Sequence, residues 1–158
     1  MTAVSGLGNF LLFTPALGQL SSRYPSARID VLAEGSASCE IARCLPEVDR
    51  VHDLSYNTSP VHGLHTTLRL RQRCYSVDIT AFPSNKNRFH LLAALIGARK
   101  RIAHSYPECD DHSLEWLQTD LVPAARGLHD IEQNLRLVVR LPDSQDRAEL
   151  PRPRLHLT

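Results

Sequence analysis

Gly6-Leu7-Gly8-Asn9-Phe10-Leu11-Leu12-Phe13-Thr14-Pro15-Ala16-Leu17 sets two glycines, one residue apart, directly before an apolar run. Phe10, Phe13, Leu17, Leu20 and Tyr24 recur at steps of three and four, so they share one helix face. A glycine turn that opens a helix lets a ligand approach the backbone closely. The N–H groups left over at the helix start then favour anions or oxygen-rich groups. The same letters also describe an ordinary tight turn. The third glycine of a dinucleotide fingerprint is missing, because Phe10 and Leu11 follow Asn9 where that motif would close.

Working outward, only Thr2-Ala3-Val4 precedes the turn as strand material, against a usual strand of roughly five to six residues. The apolar stripe predicts a helix over residues 9–23, kinked at Pro15. The local alternative is a cap at Thr14 with Pro15 as the first helical residue. Alternation predicts strands over residues 27–33 and 48–54, separated by a short helix over 35–45 with Ser36 or Ser38 as its cap. The later strand is edge-like. A turn at residues 55–60 leads into a surface helix over 61–73. A strand over 77–82 ends at Pro83, and Ser84 and Asn85 are candidate caps for a helix over 86–97. That helix is apolar on most sides, which predicts deep burial. Residues 100–104 read as a strand, and 106–127 as a loop with a helical turn at 114–117. An amphipathic helix follows at 129–141, with Leu128, Ile131, Leu135 and Val138 as its stripe. Residues 142–153 read as a linker, and Leu155-His156-Leu157 as the start of one more strand.

Strands alternating with helices predict a doubly wound, mostly parallel sheet covered by helices on both faces. In such sheets ligands bind beyond the carboxyl ends of the strands. Residues 6–9 and 83–86 each follow a predicted strand and open a helix, so they converge on one rim.

The length of 158 residues suits one domain, and 42% hydrophobic residues permit a real core. Eighteen basic and seventeen acidic residues leave a net charge of +1, which excludes a global field for nucleic acid. Arg69, Arg71 and Arg73 read as a solvated face; Arg99, Lys100 and Arg101 leave attraction of an anion open. Cys39, Cys44, Cys74 and Cys109 form no Cys-x-x-Cys pair, so they read as free thiols in a reducing compartment. No signal peptide or apolar run of membrane-spanning length is present, which predicts a soluble, cytoplasmic protein.

The opening stretch, with Arg23-Tyr24-Pro25 and Ala27-Arg28-Ile29-Asp30-Val31-Leu32, resembles the start of glycosyltransferase family 9, the ADP-heptose:lipopolysaccharide heptosyltransferases. Pro46-Glu47-Val48-Asp49-Arg50-Val51 resembles the family's third strand and its approach. Pro83-Ser84-Asn85-Lys86, with Gly97-Ala98-Arg99-Lys100-Arg101-Ile102, is similar to its acceptor-side loop and next strand. His129-Asp130-Ile131-Glu132-Gln133-Asn134-Leu135-Arg136-Leu137 is similar to the helix before the interdomain crossing.

The resemblance implies the N-terminal Rossmann-like half of a GT-B enzyme, with residues 1–141 binding the acceptor, a truncated first strand, and 142–158 a linker toward a donor domain. The implied acceptor is an anionic glycolipid or glycan of the lipopolysaccharide type. The implied donor is a nucleotide sugar held by the other half, which a separate donor-domain chain could supply, with no resident cofactor and no metal. Contact with the inner face of the inner membrane follows from such an acceptor. The family usually reads Gly-x-Gly-Asp, with the Asp as general base; this chain has Asn9 there. A neutral amide lacks that basicity, so the isolated chain is expected to be inactive. A non-catalytic binding module that pairs with another chain is the alternative.

The implied substrate-binding positions are Gly6, Gly8, Ser84, Asn85 and Lys86, with Asn9 at the catalytic position. Asn9 reads equally as a helix cap. Lys86 opposes the dipole at a helix start, which suits an anionic partner, although an exposed lysine needs no ligand. His62 and His65 have chelating spacing without a third ligand; His104 and His129 read as structural, and Asp110 and Asp111 as a solvated turn.

Overall fold

The computed structural model describes residues 2–3, 7–54, 60–83, 86–106, 114–142 and 154–157. Seven strands are found among them: β1 (Thr2–Ala3), β2 (Arg28–Ala33), β3 (Arg50–Asp53), β4 (Val77–Ile79), β5 (Lys100–Ser105), β6 (Asp120–Pro123) and β7 (Arg154–Leu157). Five helices connect them: α1 (Leu7–Arg23), α2 (Ser36–Cys44), α3 (Pro60–Arg71), α4 (Asn87–Ile96) and α5 (Asp130–Val139). Every described strand pairing is parallel. The fold is the expected α/β sheet with helices on both faces.

The sheet runs β3, β2, a shared central slot, β4, β5, β6. Thr2 and Ala3 pair with Leu32 and Ala33, while residues 154–157 pair with 28–31. Because β3 takes the other side of β2, β1 and β7 lie end to end on the same side. β7 also pairs with β4, Leu155 opposite Val77 and Leu157 opposite Ile79. The short first strand thus fills only the carboxyl end of the slot, and the strand expected at Leu155 fills the rest.

One core lies under α1, α2 and α5, with Phe10, Phe13, Leu17, Leu20, Ala42, Leu137 and Val138 buried against Ile29, Val31, Ile79 and Ile102. The second lies under α3 and α4 and contains Leu32, Leu54, Leu70, Tyr75, Phe89, Leu92 and Ile96. The Arg23 guanidinium ties α1 to the end of α5, donating to the carbonyls of Val138 at 3.1 Å and Leu141 at 2.9 Å. The Tyr24 hydroxyl donates to the Pro142 carbonyl beside it.

Several local expectations change. Helix α1 starts at Leu7 rather than Asn9 and continues through Pro15, so Thr14 is not its cap. Proline at 15 removes the donor that would reach the Leu11 carbonyl. The Thr14 hydroxyl donates to that same carbonyl at 2.8 Å, which offsets the loss. Gly35, not Ser36 or Ser38, is the cap residue of α2, at φ 95°. Strand β6 lies where a loop was expected. Helix α4 is not deeply buried all round, since Leu91 and Leu95 are exposed. The stripe expected on α5 holds in part: Val138 is buried and Leu135 packs on the core, but Leu128 is exposed and Ile131 half-buried, while Gln133, Asn134 and Leu137 also face inward.

Candidate functional site

Parallel strands put every carboxyl end on one edge, so the starts of α1, α2, α4 and α5 line a common rim. β1 pairs with the carboxyl end of β2, on the side where β7 joins β2 to β4, so the start of α1 and the segment after β4 both lie at this rim. Gly8 and Asn9 lie in the first turn of α1, Gly8 exposed and Asn9 half-buried. A Cβ added at Gly8 meets nothing within 4 Å among the described residues. Lys86 is exposed and occupies the cap position of α4, where its carbonyl accepts from the Phe89 N–H at 2.9 Å. Neither helix carries an acid in its first turn. Gly6, Ser84 and Asn85 lie outside the described residues, as do Cys109, Asp110 and Asp111.

The corner after β4 is fixed from below. The Phe82 N–H donates to Asn134 Oδ1 at 2.8 Å, and Asn134 Nδ2 donates to the Asp130 carbonyl at 3.0 Å. Gln133, one residue earlier on α5, clamps the loop after β6: its Nε2 donates to the Ala125 carbonyl at 2.6 Å and its Oε1 accepts from the Ala125 N–H at 3.3 Å. His104 is buried, with Nδ1 2.9 Å from the Val122 carbonyl and Nε2 3.0 Å from the Gln133 carbonyl. Burial lowers its pKa; the carbonyls of Gln133 and Val122 act against that shift and the Arg136 charge adds to it. The neutral ring owns one N–H, so it serves one carbonyl as donor and acts as a structural bridge. The Phe82 ring stands edge-on to His104 at 5.5 Å and stacks on Tyr106 at 5.9 Å.

The remaining candidates have structural duties. His129 caps α5, its ring nitrogen accepting from the Ile131 N–H at 3.2 Å while Glu132 reaches back to the His129 N–H at 3.2 Å. Arg101 donates to the carbonyls of Leu117 and Ala98, both at 2.8 Å, and Lys100 to that of Arg140 at 2.8 Å. His62 and His65 are both exposed. Among the described residues no group of three or more His, Cys, Asp or Glu side chains could hold a metal ion. Nor is any helix among them long and apolar enough to cross a membrane.

A second polar cluster escapes the sequence reading. Asp30 is 4% exposed. Its Oδ2 accepts from the Tyr75 hydroxyl at 2.5 Å and pairs with Arg73 at 2.9 Å, with His52 Nε2 at 3.5 Å. Burial pushes the Asp30 carboxyl up, but hydrogen bonds from His52 and Tyr75 and the charges of Arg73 and His52 outweigh it, so the net pKa is lowered. Burial and the bond to Asp30 raise the Tyr75 phenol. Arg73 is therefore not one of three solvated arginines. Arg71 is not simply solvated either, since it donates to the Leu95 carbonyl at 2.9 Å. The available signal was Asp30 itself, a charge in the middle of the apolar strand Arg28-Ile29-Asp30-Val31-Leu32.

Two of the cavities lined by described residues bear on these clusters. One, of about 370 Å³, lies over this cluster between Arg28, Asp49, Arg50 and Arg73. The other, of about 420 Å³, runs between α3 and α4. Asn9 and Lys86 line neither. No family model and no curated protein matches the chain.

Proposed function

We propose that this chain is the acceptor-side domain of a family 9 glycosyltransferase, in which a heptose or related sugar passes from a nucleotide sugar to an anionic envelope glycan. One observation carries the reading: α1 and α4 both begin at the carboxyl rim of the sheet, with Asn9 in the first turn of one and Lys86 at the cap of the other. Both starts direct the positive end of a helix dipole toward the rim, and Lys86 adds a full charge. That field suits a phosphorylated or carboxylated sugar. Gly8 costs helix stability without relieving a contact to any described residue, which is consistent with a ligand approaching the backbone there.

Asn9 orients an acceptor hydroxyl through hydrogen bonds and does not take its proton. Loss of a general base lowers a transfer rate by about a hundredfold or more. The same residue favours a second reading, a non-catalytic module that presents the glycan to another chain. Both readings require glycan at the rim, and that comes first in the test. Titration of a deacylated phosphorylated core oligosaccharide, followed by amide shifts, is expected to move Asn9 and Lys86, with Lys86→Gln weakening binding severalfold. Shifts confined to the Asp30 cavity would overturn the proposal. Asn9→Asp, assayed for sugar transfer with a donor domain supplied, separates the readings: a rise supports the enzyme and no change supports the module.

A further inference from the structure

Helices α3 and α4 expose a set of aliphatic side chains that neither core nor rim explains. Val61 is 79% exposed, Leu64 53%, Leu68 52%, Leu91 47% and Leu95 43%. On α3 the three follow each other at steps of three and four, while Gly63, Thr67 and Leu70 face the sheet. Leu91 and Leu95 form the matching pair on α4. Between the two rows lies the 420 Å³ groove, floored by Leu54, Phe89 and Leu92. The helices are held as one surface, because Arg71 of α3 donates to the Leu95 carbonyl near the end of α4. At the other end Arg88 and Glu34 form an ion pair at 3.1 Å.

The charge carried by these two helices has one sign. Neither Pro60–Arg71 nor Asn87–Ile96 contains an acid. Arg69, Arg71 and Arg88 sit among the leucines with His62 and His65, and the acid lining the groove, Glu34, is paired with Arg88. A second copy of the chain docked through the same face would oppose these cations to themselves. A single partner helix seated in the groove would leave Val61 and Leu68, which lie outside its lining, exposed to water. A flat apolar layer with anionic headgroups covers both rows and neutralises their flanks.

We propose that the α3–α4 face docks on an anionic lipid bilayer, Val61, Leu64, Leu68, Leu91 and Leu95 entering the interface while Arg69 and Arg71 meet the headgroups. The proposal rests on this face alone, so its test contains no glycan and no sugar donor. The full chain is sedimented with vesicles of phosphatidylcholine, with and without phosphatidylglycerol. Binding is expected to be about tenfold stronger to the anionic vesicles and to weaken as salt is added. Leu64→Gln with Leu68→Gln is expected to reduce it by about tenfold or more. Val139→Gln, an exposed aliphatic on α5 across the sheet, is expected to leave it unchanged. Arg69→Glu provides a variant of one exposed charge that keeps every leucine, and it too must weaken binding. Equal binding by the leucine variant, or no preference for anionic vesicles, overturns the proposal. So does a concentration-dependent dimer that the leucine variant abolishes, which would assign the face to a second copy. Capture of an amphipathic acidic helix in place of vesicles would overturn it as well.

Discussion

Replacing Asn134 with leucine tests how the corner after β4 is held. Asn134 is fully buried, and its Oδ1 is the acceptor recorded for the Phe82 N–H, at 2.8 Å. Leucine keeps the branching at Cγ and is the larger side chain, so no cavity opens, but the Phe82 amide loses its partner in a site water does not easily reach. An orphaned buried donor costs about 1–3 kcal/mol. The Asp130 carbonyl also loses the bond from Nδ2, although it lies in the first turn of a helix and keeps a backbone role. Taking about 2 kcal/mol for the pair, the folded-to-unfolded ratio falls by about thirtyfold. With a urea slope of about 1–3 kcal/mol/M, the midpoint drops by about 1 M.

The single tryptophan, Trp116, is 74% exposed and reports weakly on unfolding, so far-UV circular dichroism is the assay of choice. Hydrogen exchange adds a local reading: the Phe82 amide should exchange roughly thirtyfold faster if the bond carries about 2 kcal/mol. An unchanged midpoint together with unchanged Phe82 exchange would refute the reasoning, because the amide would then have another acceptor. A lower midpoint with normal Phe82 exchange would place the cost on α5 instead.

Asp30→Asn removes the charge facing Arg73 and is expected to cost about 3 kcal/mol in urea unfolding. Because the folded carboxyl titrates below the unfolded value of about 3.9, its stabilisation is complete above that pH. It is lost as pH falls through the folded pKa, so the variant should lack this part of the acid transition. His104 shifts the other kind of group in the same direction: between its lowered folded pKa and the unfolded value of about 6.5, the unfolded chain binds a proton that the native chain does not. Stability should therefore decline as pH drops below about 6.5, and His104→Gln should flatten that slope in midpoints measured at successive pH values. Gly97→Ala forces an alanine to φ 76° with its Cβ 3.1 Å from the Arg71 guanidinium, and thermal unfolding should show a loss of about 1–2 kcal/mol.

Element type was legible wherever apolar residues carried the period. The stripe from Phe10 to Tyr24 gives α1, and Arg28-Ile29-Asp30-Val31-Leu32-Ala33 gives β2, because both bury what they display. On α5 the period placed Leu135 and Val138 against the core but also named Leu128, which is exposed, and it passed over Gln133 and Asn134, which are buried. Hydrophobic spacing cannot register a polar residue buried to satisfy backbone, and those two are buried for the Ala125 and Phe82 amides. Strand β6 was missed for a related reason: Asp120-Leu121-Val122-Pro123 is short and ends in proline, and its pairing with β5 is visible only in three dimensions. At the candidate site the sequence located Asn9 and Lys86 on one rim, through the rule that glycine turns and caps follow strands. It did not show the Asp30 cluster, whose members lie up to 45 residues apart.

The central slot shows why topology lies beyond propensity. Leu155-His156-Leu157 reads as strand-like in any setting, and nothing local distinguishes an edge from the middle of a sheet. The decision is made by the neighbours. β1 pairs only with Leu32 and Ala33, so residues 28–31 of β2 and 77–79 of β4 would otherwise face each other with unpaired backbone groups. Ile29 and Ile79 are buried there, where an unpaired N–H or C=O has no water to replace its partner. A strand inserted between them satisfies both sides at once, whereas the same strand at β3 or β6 would satisfy one. The short first strand and the late seventh strand are thus two halves of one requirement. The order of the Rossmann-like sheet follows from hydrogen bonds that must be made rather than from the order in which the chain supplies them.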